Sequence, residues 1–96
     1  MTSELSTHET LERVRLEIEQ IDRRLVDLIA QRVRLARQVG ELKRSAGLPT
    51  LDPAREASVV RRASALARES GLMPEDVREI YWHVIGLCRR AQSEPV

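Results

Sequence analysis

The chain of 96 residues carries 16 basic side chains against 15 acidic ones, so it lacks the basic surface on which general nucleic-acid binding rests. With 42% hydrophobic and only 2% aromatic residues, and with Ala, Leu, Arg and Glu dominating, it reads as a single all-α domain spanning 1–96, too small to bury a large core unaided. One cysteine, Cys88, rules out an internal disulfide framework, and neither a secretory leader nor a membrane-spanning run is visible, so a cytoplasmic protein without a membrane partner is expected.

Residues 1–5 show no helical pattern and are expected to be loose. Ser6 with Glu9 three residues later resembles a capping box and predicts the start of the first helix. From Leu11 to Leu42 apolar residues recur alternately three and four positions apart: Leu11, Val14, Ile18, Ile21, Leu25, Leu28, then Leu35, Val39 and Leu42. Arg32 occupies the place where that register calls for an apolar residue. The run contains no proline and spans roughly 48 Å as a helix, more than so small a chain covers by itself. A second copy of the chain is the natural cover for the seam.

Gly47 and Pro49 predict the end of this helix at about Ser45. Asp52-Pro53 then opens a second helix to about Glu69, the carboxylate capping free N–H groups and the proline suiting the first helical position. Its modest apolar stripe is Val59, Val60, Ala63, Leu66 and Ala67. After Gly71, Pro74-Glu75-Asp76 opens a third helix to about Ala91, with Val77, Ile80, Tyr81, Val84, Ile85 and Cys88 expected on its buried side.

Most arginines here, Arg13, Arg23, Arg24, Arg34, Arg37 and Arg44 among them, fit exposed helix faces. Arg32 does not: a guanidinium within an apolar seam needs an internal acid or a bound anion. Lys43, eleven residues later, returns to nearly the same helical direction, so both cations can converge on one small molecule. Arg15 points elsewhere, but in an antiparallel pair of long helices it could complete the partner's Arg32–Lys43 site. Asp52, Arg55 and Glu56 stand at the N-terminus of the second helix, where anions are favoured. Glu56 is the odd member, since it repels a dianion unless it accepts a hydroxyl or carries a proton. Cys88 and Gln92 share a face of the last helix. No base neighbours Cys88 for thiol catalysis, His8 and His83 have no ligand spacing, and no phosphate cradle or dinucleotide fingerprint occurs, so neither metal nor cofactor is expected.

In order and spacing, several segments together resemble the small all-helical chorismate mutases. They are Arg15 with Ile21-Asp22, Leu28-Ile29-Ala30-Gln31-Arg32, Val39-Gly40-Glu41-Leu42-Lys43, Asp52-Pro53-Ala54-Arg55-Glu56 and Gln92. The likeness covers roughly Leu11 to Gln92; Cys88 departs from the serine that often accompanies the glutamine. The resemblance implies an isomerase of the shikimate pathway and aromatic amino acid biosynthesis, converting chorismate to prephenate in three helices, one very long, that form an intertwined homodimer. It assigns the substrate's two carboxylates to Arg32 and the partner's Arg15. Lys43 would contact a carboxylate and the ether oxygen, Gln92 the ether oxygen, and Glu56 the ring hydroxyl. Asp52 and Arg55 would shape the pocket, and Cys88 would stand at a substrate-binding position where a thiol, a poorer donor than a hydroxyl, leaves the carboxylate contact to the backbone.

The alternatives are an isochorismate-pyruvate lyase or a 4-amino-4-deoxychorismate mutase on the same cationic frame, and a non-catalytic helical interaction module for which the heptads alone would suffice. A monofunctional enzyme is expected, with contact to a separate regulatory pathway enzyme left open.

Overall fold

A computed structural model of the chain describes residues 4–94. Three helices follow in order: α1 (Glu4–Ala46), α2 (Pro53–Glu69) and α3 (Pro74–Ser93). The long-short-medium order and the interior boundaries match the sequence reading. At the N-terminus they do not. Helix α1 already includes Glu4 and Leu5, so Ser6 lies within it, and its carbonyl oxygen accepts a hydrogen bond from Thr10 Oγ1 at 2.9 Å. The capping box is overridden because the backbone continues as helix upstream of it. The remainder of the stretch expected to be loose, Met1–Ser3, lies outside the described residues.

The helix ends are built as their residue types dictate. Gly47 adopts φ 70°, a left-handed conformation that a side chain would resist. Its N–H donates to Arg44 O at 3.2 Å and that of Leu48 to Lys43 O at 2.8 Å, the paired bonds of a Schellman motif. The same motif recurs at Gly71, φ 75°, where Leu72 N–H donates to Ala67 O at 2.9 Å. Asp52 caps α2: its Oδ1 accepts from the N–H of Arg55 at 3.1 Å, and Pro53 fills the first helical position. Helix α3 has Pro74 in its first turn and no side-chain cap, with Glu75 and Asp76 placed to favour the positive helix end.

The chain divides between Gln31 and Arg32 into two compact units. The described part of the first unit is a stretch of α1 alone. Its seam residues Leu11, Val14, Ile18, Ile21, Leu25 and Leu28 are 40–59% exposed.

The second unit holds the core, which has two clusters. Ala36 of α1 packs with Cys88 and Ala91 of α3, flanked by Val33 and Val84. Val59 and Val60 of α2 pack with Ile85 of α3, flanked by Tyr81. Small residues let the backbones approach. A Cβ built on Gly40 would stand 2.3 Å from the carbonyl oxygen of Gln92 and 2.8 Å from its Cα. Arg44 Nη1 donates to that carbonyl oxygen at 2.6 Å, and Arg37 Nε reaches Glu94 Oε2 at 2.9 Å, fixing the end of α3 on α1. Ile80, expected on the buried side of α3, is 60% exposed, and Leu66 of the α2 stripe is 52% exposed, because α2 and α3 meet through Val59, Val60, Tyr81 and Ile85 and leave those two positions outside the contact. Among the described residues, no helix is long and apolar enough to cross a membrane.

Candidate active site

The three helices of the second unit surround a cavity of about 460 Å³. From α1 it receives Arg32, Leu35, Ala36, Val39 and Lys43. Leu35, Ala36, Val39 and Lys43 stand three, four, seven and eleven residues after Arg32, which keeps them on one helical face. Asp52, Arg55, Glu56, Val59 and Arg62 come from the start of α2, and Ile85, Cys88 and Gln92 from α3. The apolar members form the walls, while four cationic and two acidic side chains give the cavity a cationic excess suited to a small polyanion.

Arg32 is half-buried. Its Nη1 donates to Cys88 Sγ at 2.9 Å, and its guanidinium carbon lies 5.9 Å from the centre of the Tyr81 ring. The ion pairs among the described residues are Arg15–Glu12, Arg37–Glu94 and Arg89–Glu56, so the internal acid that would have satisfied Arg32 is not there. A thiol is a weak acceptor that offsets little of a guanidinium's charge, so the remaining donors are left for an anion. Cys88, 4% exposed, thus holds Arg32 in place.

Lys43 is held by two acceptors. Its Nζ donates to Thr50 O, in the connection between α1 and α2, at 3.0 Å and to Gln92 Oε1 at 3.2 Å. An ammonium has three N–H donors, so one remains. The contact also orients the amide of Gln92: with Oε1 engaged by Lys43, Nε2 and its two donors are left for a ligand. Two donors are thereby held side by side at one end of the cavity.

Glu56 is held by a partner on another helix, Arg89 of α3. Arg89 Nε donates to its Oε2 at 2.9 Å and Nη2 to its Oε1 at 2.5 Å, a fork-to-fork pair. The Arg89 hydrogen bond holds the Glu56 carboxyl below its usual range; partial burial opposes this, the Arg89 charge adds to it, Asp52 opposes and Lys43 assists. Glu56 is therefore a carboxylate with its charge already partnered. The same hydrogen bond pushes Arg89 upward.

Of the residues expected at a site, Arg32, Lys43, Asp52, Arg55, Glu56, Cys88 and Gln92 line this one cavity. Arg15 belongs to the first unit, where its Nη1 pairs with Glu12 Oε1 at 3.2 Å. Sequence reasoning missed Arg62 and Arg89. Arg62 was detectable, seven residues after Arg55 on the same face of α2, whereas the meaning of Arg89 comes only from Glu56 on another helix.

An all-helical unit with four cationic side chains around one cavity defines the class: a helical protein with the charge to receive a small acid. Comparison with known proteins makes the class specific. The sequence profile of the family described as chorismate mutase type II matches residues 14–93. The bifunctional chorismate mutase/prephenate dehydratase of Aquifex aeolicus is 34% identical over 83 residues, 83% of this chain and 23% of that protein. The chorismate mutase of Methanocaldococcus jannaschii is 39% identical over 61 residues, 64% of this chain and 62% of that one. A conserved hypothetical protein from Pyrococcus furiosus shares the fold at a TM-score of 0.71 and 30% identity, covering 86% of this chain and 95% of that one. The chain belongs to the type II chorismate mutase family. It spans under a quarter of the length of the Aquifex relative, in which this helical unit is one part of a larger protein.

Proposed function

We propose that this chain catalyses the intramolecular rearrangement of chorismate to prephenate. The observation that carries the reading is the cluster of Arg32, Lys43 and Gln92 in one cavity, with Arg32 lacking an acid partner and Lys43 already oriented toward Gln92. The substrate is a dicarboxylate whose reactive form is folded rather than extended. Spaced cations hold the two carboxylates at the separation that the folded form requires, which removes conformational freedom before the bond changes begin.

The reaction itself breaks a C–O bond and forms a C–C bond within one molecule, so no protein nucleophile, acid or base takes part in it. What the protein supplies is charge. As the C–O bond lengthens, negative charge grows on the ether oxygen, and the free Lys43 N–H and the Gln92 amide are the donors available to it. Donors fixed beforehand stabilise the transition state more than the substrate. Glu56 accepts the ring hydroxyl, Arg32 takes one carboxylate, and Asp52 and Arg55 shape the entrance from the start of α2.

The second carboxylate falls to Arg15 of a second copy of the chain. The support is the apolar seam of α1, whose nine leucine, isoleucine and valine positions from Leu11 to Leu42 are each at least 40% exposed. Burying each such side chain contributes about 1.5–3 kcal/mol, so a paired helix is strongly favoured over a solvated one. In the homodimer, Arg15 exchanges Glu12 for the ligand.

The test is incubation of the purified chain with chorismate and, separately, with isochorismate, and identification of the products by NMR. Prephenate is the expected product. Unchanged chorismate, or pyruvate and salicylate released from isochorismate, would overturn the reading in favour of an interaction module or a lyase.

A further inference from the structure

The proposed rearrangement gives Glu56 a task and leaves its partner Arg89 without one. Arg89 is not among the residues lining the cavity, yet it engages both oxygens of Glu56, at 2.9 and 2.5 Å, from the outer side of α3. Its side chain is 44% exposed while that of Glu56 is 18% exposed, so the guanidinium backs the carboxylate from the solvent side. An ordinary surface pair joins two exposed chains; here one member is a cavity wall.

The consequence is chemical. Each carboxylate oxygen has a second lone pair, so Glu56 can still accept a hydrogen bond from a ligand. Its negative charge, however, is offset by Arg89, and Lys43 of α1 also acts favourably on it while Asp52 of its own helix opposes. Arg32, Arg55 and Arg62 line the same cavity. A neutral hydroxyl placed at Glu56 needs only the lone pair. An ammonium placed there needs a net negative charge, and finds a neutralised one among four cations.

We propose that Arg89 is a specificity-determining residue. By clamping Glu56 it makes that carboxylate an acceptor for a neutral hydroxyl and turns away substrates that carry a cationic amine at the same ring position. This rests on the reading of the cavity as a chorismate-type site. Arg89 acts through Glu56 and does not itself touch the substrate.

The experiment compares kcat/KM for chorismate and for 4-amino-4-deoxychorismate at pH 7 in the wild-type chain, Arg89→Leu and Arg89→Lys. The wild-type chain should prefer chorismate by about a hundredfold or more. Arg89→Leu leaves Glu56 unneutralised and should move the ratio toward the amine by at least about tenfold. Arg89→Lys keeps the charge without the fork and should stay within about threefold of wild type. If circular dichroism shows Arg89→Leu unfolded, Arg89→Gln reads the same ratio with the charge removed and a hydrogen-bond donor kept. An unchanged ratio in a folded, active, charge-removed variant overturns the inference, even where both activities fall together. A wild-type chain that turns over neither substrate refutes the underlying mutase reading instead, so the two failures are distinct.

Discussion

Arg15 and Arg32 are arginines of one helix, α1, and they answer to different physics. In the first unit Arg15 pairs with Glu12, one turn back on its own helix; their side chains are 63% and 53% exposed. In the second unit Arg32 is half-buried under α3, with a thiol and an aromatic ring for company. A local pair three residues apart on a solvated helix contributes a few tenths of a kcal/mol and is readily exchanged. A guanidinium packed without a carboxylate keeps its demand for an anion. The seam itself is exposed in both units, from Leu11 to Leu28 in the first and at Leu35, Val39 and Leu42 in the second, but only in the second does α1 also carry a covered position, Ala36 beneath Cys88 and Ala91. One unit has an interior and a cavity; the other, as far as its residues are described, is a single amphipathic stretch of helix.

Predictions follow that contrast from the largest effect down. Lys43→Ala removes the cation shared by Thr50 and Gln92, and turnover should fall by about 10²–10³-fold, the cost of losing one pre-oriented donor to a developing oxyanion. Steady-state kinetics on prephenate formation decide it, and a turnover within threefold of wild type would remove Lys43 from the chemistry. Leu25→Glu places a charge in the exposed seam of the first unit without touching the cavity. Sedimentation equilibrium should show the dimer lost, with activity falling together with it; a fully active monomer would refute the borrowed Arg15.

Gly40→Ala strikes the second unit from within. The added carbon meets the Gln92 backbone at 2.3 Å, and the expected loss is about 1–3 kcal/mol, read as a lowered midpoint in urea. Asp52→Ala should cost about 1 kcal/mol by freeing the N–H of Arg55 at the start of α2. The smallest effect is the pH dependence from Glu56. Its carboxyl is lowered in the folded chain from an ordinary value of 4.5, so its contribution to stability is complete above 4.5 and is lost as the pH falls through the lowered value. Thermal melts of Glu56→Gln should lack that portion of the acid decline, and a difference from wild type that stays constant as the pH falls below 4.5 would count against it.

Much of the site was legible in the chain because it is written in helical spacing. Arg32 and Lys43 share a direction on α1 by their eleven-residue separation, and both line the cavity. Asp52-Pro53 marks a helix start that brings Arg55 and Glu56 to the same place. The capping box at Ser6 misled, since a local motif states a preference that the upstream backbone overrode by continuing as helix. Ile80 misled because amphipathic spacing gives a face without saying how much of it a partner covers. Arg89 was read past for a different reason: an arginine among arginines acquires meaning only when another helix delivers its acid.

The order of the helices and their interior boundaries, the heptad seam with its interrupting Arg32, and the glycine and proline stops all follow from periodicity and local backbone preference, which the sequence carries by itself. Tertiary packing alone decided that Arg32 should meet Cys88 rather than a carboxylate, that Lys43 should turn the amide of Gln92, and that Arg89 should neutralise Glu56. Those contacts join residues 33 to 56 positions apart. Their distances depend on how three helices settle against each other, and no spacing along one helix encodes that.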